Sequence, residues 1–299
     1  MDFPTWVIFA LLSPAFWAIV VVLDSHCVSQ VFERPWMGGI ASGLTMLAVL
    51  PLLAIGLIFT GVSPMSPQAL ALAALCGSVF MISQLIYFHA LETTESGIVA
   101  AYWNLTPLLL PIISYLVFGE VLSGAQYAGA LILVMSSVGF CLLDGIESRW
   151  SSFAFMFVAA WLQITYFMLQ KRLFEICPVY QAFLVITLCM ALTGLLPLIV
   201  PGYRKVFRSN WPQVRPAVPL LLAIEVANLL ALATSQYAVH YGTPTLVSAV
   251  EASLPLYTFL LSMILYAVAS RFGDAAARDR LPIKLLLSGT MVLGVWLVL

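Results

Sequence analysis

Seven stretches of this chain run for about twenty residues or more without a single Asp, Glu, Lys or Arg: 3–23, 37–60, 68–91, 96–119, 121–143, 150–170 and 176–200. Two more, 217–239 and 244–269, carry one acid each, Glu225 and Glu251, and a last run, 282–299, carries Lys284 near its start. An α-helix needs about 20 apolar residues to cross the hydrocarbon of a bilayer. The pattern predicts ten transmembrane helices. No alternation of period two recurs, which excludes a transmembrane β-barrel. The fold class expected is all-α, a polytopic membrane protein.

Composition points the same way. Charged residues are 8% of the 299 and hydrophobic residues 63%, against about 25% charged in an ordinary soluble domain. So few charges cannot cover a water-soluble surface, so a soluble globular domain, a disordered chain and a nucleic-acid binder are all excluded. The net charge of −1 predicts no basic field for phosphates or anionic lipid. Cys27, Cys76, Cys141, Cys177 and Cys189 form no CxxC pair and read as small core residues. The start, MDFPTWVIFALL, has no positive n-region, so the first apolar run is expected to remain as a helix.

The longest loops expected, Asp24–Trp36, Pro201–Arg215 and Ser270–Leu281, leave no room for a soluble domain. Ser123 and Gln126 form a capping box before the fifth span, and Thr243-Pro244 places a cap and an N1 proline at the ninth. Gly39 and Gly43 form a small-residue packing pair.

The chain also repeats weakly. At an offset of 148, Ala90, Val99, Ala101, Pro107 and Leu108 fall on Ala238, Val247, Ala249, Pro255 and Leu256 without a gap. Five helices per repeat is an odd number, so the halves 1–145 and 146–299 are expected in opposite orientations. That is the inverted-repeat plan of secondary transporters, with the site near mid-membrane at the repeat interface.

The stretch Ala90–Gly139, ALETTESGIVAAYWNLTPLLLPIISYLVFGEVLSGAQYAGALILVMSSVG, carries a small-residue run before Pro107, the pair Gly119-Glu120, and Ser123, Gln126 and Gly129 opening the next helix. It resembles the EamA-type branch of the drug/metabolite transporter superfamily. Tyr237–Gly294 resembles the same pattern more loosely, with ASRFGDAAARDR where a Gly-Glu pair would stand. The resemblance implies a ten-helix carrier of small metabolites working by alternating access, many of its kind being exporters. Glu120, matching the family pair at a helix end, is read as structural. Odd-numbered loops hold ten Lys and Arg and even-numbered loops only Lys171 and Arg172, which by the positive-inside rule places both termini outside the cytoplasm.

An ionised side chain costs about 2.5–3.5 kcal/mol at a membrane helix centre by insertion scales, and such residues face cavities. Glu251, in VSAVEASLP, and Glu225, in LLAIEVANLL, are therefore the first candidates for binding a cation or carrying a coupling proton. Asn228 is three residues after Glu225 and shares its helix face. Trp103 is the repeat mate of Glu251, beside Asn104; an indole opposite an acid suits an ammonium group. Trp17 and Trp161 are mid-span indoles, with Gln163 and Tyr166 adding polarity near the second and Tyr87 a weaker candidate. His89 and His240 stand at predicted span ends, and Trp6, Trp36, Trp150, Trp211 and Trp296 suit the interfacial belt.

No HExxH, phosphate loop, CxxC or GxSxG is present, so no enzyme, metal site or cofactor is expected. The expectation is a secondary transporter that moves a small amphipathic metabolite, an amino acid or amine, by alternating access, in the export direction and with proton coupling, in a bacterial cell inner membrane. The partners expected are the substrate and the lipid bilayer, with no nucleic acid; a homodimer is left open. Uptake of a quaternary amine such as choline is the rival within transport, and an intramembrane lipid-handling enzyme or subunit the rival outside it. All of this rests on a mid-bilayer hollow walled by indoles and closed by Glu225 and Glu251.

Overall fold

The computed structural model describes residues 5–93, 103, 105–143, 150–268 and 280–298. Among these residues all regular structure is helical. The elements are α1 (Thr5–Gln30), α2 (Met37–Ile55), α3 (Leu57–Thr60), α4 (Pro67–Thr93), α5 (Leu105–Phe118), α6 (Gly124–Leu143), α7 (Trp150–Ile176) and α8 (Val179–Gly194). A 3₁₀ turn, Leu196–Ile199, then leads to α9 (Pro201–Tyr241), α10 (Pro244–Glu251), α11 (Leu254–Val268) and α12 (Leu281–Val298). Eight helical stretches are long and apolar enough to cross a membrane, and two shorter ones, Leu105–Phe118 and Gly124–Gly139, stand where the fourth and fifth spans are expected. The protein is a polytopic all-α membrane protein.

Three local features differ from the sequence reading. The segment Pro201–Arg215, expected as a loop, is the first part of the 41-residue α9. Its buried residues Phe207, Asn210 and Val214 recur at helical spacing, and that face packs on the bundle. The helix α1 continues through Asp24 to Gln30, where a loop was expected. The ninth span is broken: α10 stops at Glu251 and α11 starts at Leu254, just before Pro255.

The capping expectations hold. Ser123 Oγ accepts from the Gln126 N–H at 3.2 Å while Gln126 Oε1 accepts from the Ser123 N–H at 3.0 Å. Thr243 Oγ1 accepts from the Leu246 N–H at 3.4 Å. At the end of α5, Gly119 takes φ +67°, a left-handed stop that favours glycine. Glu120 behind it accepts from Ser114 and from Thr245 Oγ1, the latter at 3.2 Å. Its carboxylate therefore ties α5 to the start of α10.

Two long antiparallel seams organise the bundle. Along α1 and α9, Phe9 stacks on Tyr237 at 5.5 Å and the Glu33 N–H donates to Asn210 Oδ1 at 3.4 Å. Along α4 and α7, Phe80 meets Tyr166 at 4.8 Å, Ser83 Oγ donates to Gln163 Oε1 at 3.4 Å, and His89 meets Phe155 at 4.9 Å. Shifting Phe9 and Tyr237 by 148 residues in opposite senses gives 157 and 89, within two residues of the observed pair 155 and 89. With about 12 extra residues allowed in the second half, the same exchange carries α6 onto α12, and these two helices pack on each other. Their seam is held by small residues: a Cβ at Gly129 would lie 2.7 Å from the Gly294 carbonyl oxygen, and Ser136 and Thr290 hydroxyls meet at 2.8 Å. Gly129→Ala is expected to cost about 1–3 kcal/mol through overpacking. A lowered unfolding midpoint of the detergent-solubilised protein checks this, and an unchanged midpoint would mean that the seam can spread freely.

Candidate functional site

The cavity that best fits a binding site lies between α1, α2, α4 and α9. Trp17, Asp24, Ser42, Thr45, Gln84, Glu225 and Asn228 supply its polar and indole lining, and Phe32, Phe80 and Phe88 its aromatic wall. Water centres can occupy about 50 Å³ of it, room for roughly three to five waters at 10–15 Å³ each. Among the described residues no Lys or Arg lines it.

Each lining residue is placed by helix periodicity. Trp17 and Asp24 are seven residues apart on α1, two turns along one face. Ser42 and Thr45 on α2, and Phe80, Gln84 and Phe88 on α4, recur at three or four residues. Glu225 is 2% exposed and its carboxylate is fully engaged. Ser42 Oγ and Thr45 Oγ1 donate to Oε2 at 2.8 and 3.1 Å, and Asn228 Nδ2 donates to Oε1 at 2.9 Å. These bonds join α2 to α9 and hold the acid in one rotamer against the cavity. A buried carboxylate without such donors would carry its desolvation cost uncompensated.

The two candidate acids stand at different stations. Glu251, at the C-terminal end of α10, accepts from Ser13 Oγ at 2.7 Å and stands near Ser235. Ser235 is ten residues beyond Glu225 on α9, about 15 Å at 1.5 Å per residue. Glu251 is not among the residues lining the cavity. The single hollow closed by both acids is thus replaced by two polar stations along the α1–α9 seam. Asp24, which sequence reading left in a loop, is the acid that faces the cavity with Glu225.

The remaining candidates scatter. Trp17 lines the cavity and tilts against Phe80 at 6.4 Å. Tyr166 is 1% exposed and stands behind Phe80, its hydroxyl receiving Gln236 Nε2 at 3.3 Å. Gln163 accepts from Ser83 one turn away. Tyr87 packs on Trp103 at 5.8 Å, outside the cavity lining but against Phe88 at 5.3 Å. Trp161 is 39% exposed and meets Phe157 edge-on, so its indole lies on the outer surface of the bundle. Asn104 lies outside the described residues. Reasoning from the sequence missed Asp24, Ser42, Thr45, Gln84, Phe80 and Phe88. The seven-residue spacing from Trp17 was the one signal available for Asp24.

The fold has solved counterparts. A crystal structure aligns with a TM-score of 0.66 at 18% identity, covering 95% of this chain and 96% of its own. At that identity the likeness shows the fold alone. No curated protein matches in sequence. Residues 4–142 match the EamA-like transporter family, and that stretch contains Trp17, Asp24, Ser42, Thr45 and Gln84 on the cavity wall as well as the Gly119-Glu120 pair. Residues 4–142 are thus similar to the EamA-like transporters, a family of the drug/metabolite transporter superfamily.

Proposed function

We propose that this membrane transporter is a secondary carrier that moves a small organic cation, an amine or an amino compound with an exposed ammonium group, through the cavity between α1, α2, α4 and α9. The observation that carries the reading is the lining itself: two carboxylates, Asp24 and Glu225, one indole, Trp17, and three phenyl rings, Phe32, Phe80 and Phe88, with no cationic side chain among the described residues. Carboxylates supply the counter-charge, and aromatic faces attract an ammonium group by about 0.5–2 kcal/mol each. An anionic substrate would meet only repulsion there.

Glu251 is assigned the coupling role. It sits where α10 breaks before α11, and ends of broken helices hold coupling ions in carriers built from repeats. Both α1 and α9 reach Glu251 and the cavity alike, through Ser13 and Ser235 at one station and Asp24 and Glu225 at the other. A proton taken up at Glu251 would weaken what holds α10 to these two helices. The matched seams support reading 1–145 and 146–299 as two inverted repeats, and with them alternating access. Export is the direction we assign, on the family resemblance, with a bacterial inner membrane as the setting. The four aromatic side chains also suit a quaternary amine such as choline, which would bind with less dependence on pH than an amine competing with protons for the same carboxylates.

The test is a thermal-shift screen of primary amines, amino acids, choline and carboxylic acids on the purified protein. A ligand at a hundred times its Kd stabilises the folded state by about 2.7 kcal/mol. Amines or choline should raise the midpoint, and carboxylic acids without an amine should not. Stabilisation by carboxylic acids alone would overturn the reading.

A further inference from the structure

A net charge of −1 conceals a local basic surface. The first fifteen residues of α9, PGYRKVFRSNWPQVR, hold Arg204, Lys205, Arg208 and Arg215 and no acid. All four are exposed. The opposite face buries Phe207, Asn210 and Val214, with Phe207 and Val214 in one cluster with Cys27, Phe32, Met37 and Ile40 from α1, α2 and their connection.

The segment lies across the end of the bundle. Tyr203 packs edge-on against Trp36, just before α2 begins, at 4.7 Å. Glu225, 22 residues further along α9, bonds to Ser42 and Thr45, within nine residues of the start of α2. Those 22 residues span about 33 Å of helix, whereas Thr45 is only about 12 Å below Met37. A helix leaving the membrane along the bundle axis would carry Tyr203 far from Trp36. The segment instead runs over the membrane-facing end of α1 and α2, at the depth where spans begin. Tyr203 and Trp211, 45% and 41% exposed, sit among the basic residues, as aromatic side chains do at headgroup level.

We infer that the outer face of residues 201–215 docks on the anionic headgroups of the lipid leaflet at this end of the protein. An amphipathic helix with Lys and Arg on its polar face and aromatics at its flank is the form that lies in the interface plane. Each basic side chain near an anionic leaflet gains by attraction that salt screens. Glu33 and Arg34, exposed in the neighbouring connection, offset each other in charge. Leu221 links this segment to the cavity, because it belongs to the same cluster as Phe207 and Val214 and also lines the cavity wall.

The experiment uses the full chain in non-ionic detergent, titrated with dioleoylphosphatidylglycerol or dioleoylphosphatidylcholine, with bound lipids counted by native mass spectrometry. Phosphatidylglycerol should be retained at a concentration at least tenfold lower than phosphatidylcholine. The variant R204Q/K205Q/R208Q/R215Q should lose that preference, and R204K/R208K/R215K should keep it. Raising salt to about 1 M should remove it in the wild type. Equal retention of the two lipids by the wild type, or an undiminished preference in the glutamine variant, would overturn the inference. So would full displacement of phosphatidylglycerol by inorganic phosphate, which would mark a free-phosphate pocket. Should the glutamine variant fail to fold, the wild-type lipid ratio and its salt dependence decide the matter alone.

Discussion

Glu225→Gln should weaken binding of the cationic substrate by at least thirtyfold while leaving the fold intact. Removing one member of a buried, hydrogen-bonded charge pair costs about 2–5 kcal/mol, and 2 kcal/mol is already a factor of about thirty. The substitution keeps the shape of the side chain. Ser42 and Thr45 can still donate to its amide oxygen, and Asn228 can turn its own amide, so the effect on stability should stay near 1 kcal/mol. Asp24→Asn should weaken binding in the same direction from the other wall of the cavity. Glu251→Gln should retain substrate binding and lose the pH dependence of transport, because its station is separate. Isothermal titration with the amine found in the screen, paired with a proteoliposome flux assay, distinguishes these variants. Wild-type affinity in Glu225→Gln would remove the acid from substrate binding, whatever the family.

The two stations show what a single sequence can and cannot display. The spans were legible because hydrocarbon tolerates almost no charge, so charge-free runs mark helices directly. Glu225 and Glu251 stood out for the same reason. That logic fails at span ends. Asp24 closed the first charge-free run and was therefore assigned to a loop, although α1 continues past it for six residues. The basic stretch 201–215 was lost in the same way, since its helix is written in the spacing of Phe207, Asn210 and Val214 rather than in hydropathy. Partner choice was beyond reach for a different reason: Ser13 reaches Glu251 across 238 residues of sequence and Ser42 reaches Glu225 across 183. Nothing local encodes which hydroxyl a buried acid will find. Trp161 illustrates the converse: a mid-span indole can stand apart from the cavity, and at 39% exposure it is outside the lining that Trp17 joins.

The proposed repeat, at its offset of 148, supplies the second large effect. The repeat position of Glu225 is Gly77. At Glu225, α9 meets α2 through the hydroxyls of Ser42 and Thr45, beside a cavity that Gly38, Ala41 and Ser42 help to line. At Gly77, the matching helices α4 and α8 are closed: a Cβ there would lie 2.3 Å from the Ile186 carbonyl oxygen and 3.0 Å from the Met190 amide nitrogen. Ile186 and Met190 are the repeat positions of Gly38 and Ser42. One seam borders a cavity and its mate is closely packed, the difference expected of an alternating carrier if its two halves exchange shapes. Gly77→Ala should therefore do more than destabilise. It penalises the shut α4–α8 seam by about 1–3 kcal/mol, and a penalty paid in only one of two states shifts their ratio by roughly five- to 150-fold. With Gln84→Cys as a reporter in the cavity wall, a water-soluble maleimide should label the Gly77→Ala protein at least fivefold more slowly than its Gly77 parent, because the cavity around Glu225 closes as the other seam opens. Gly129→Ala, in the α6–α12 seam, should lower the unfolding midpoint without altering that labelling rate. If Gly77→Ala lowers the midpoint and leaves the rate unchanged, the α4–α8 contact is a fixed packing joint and the exchange of open and shut seams must be abandoned.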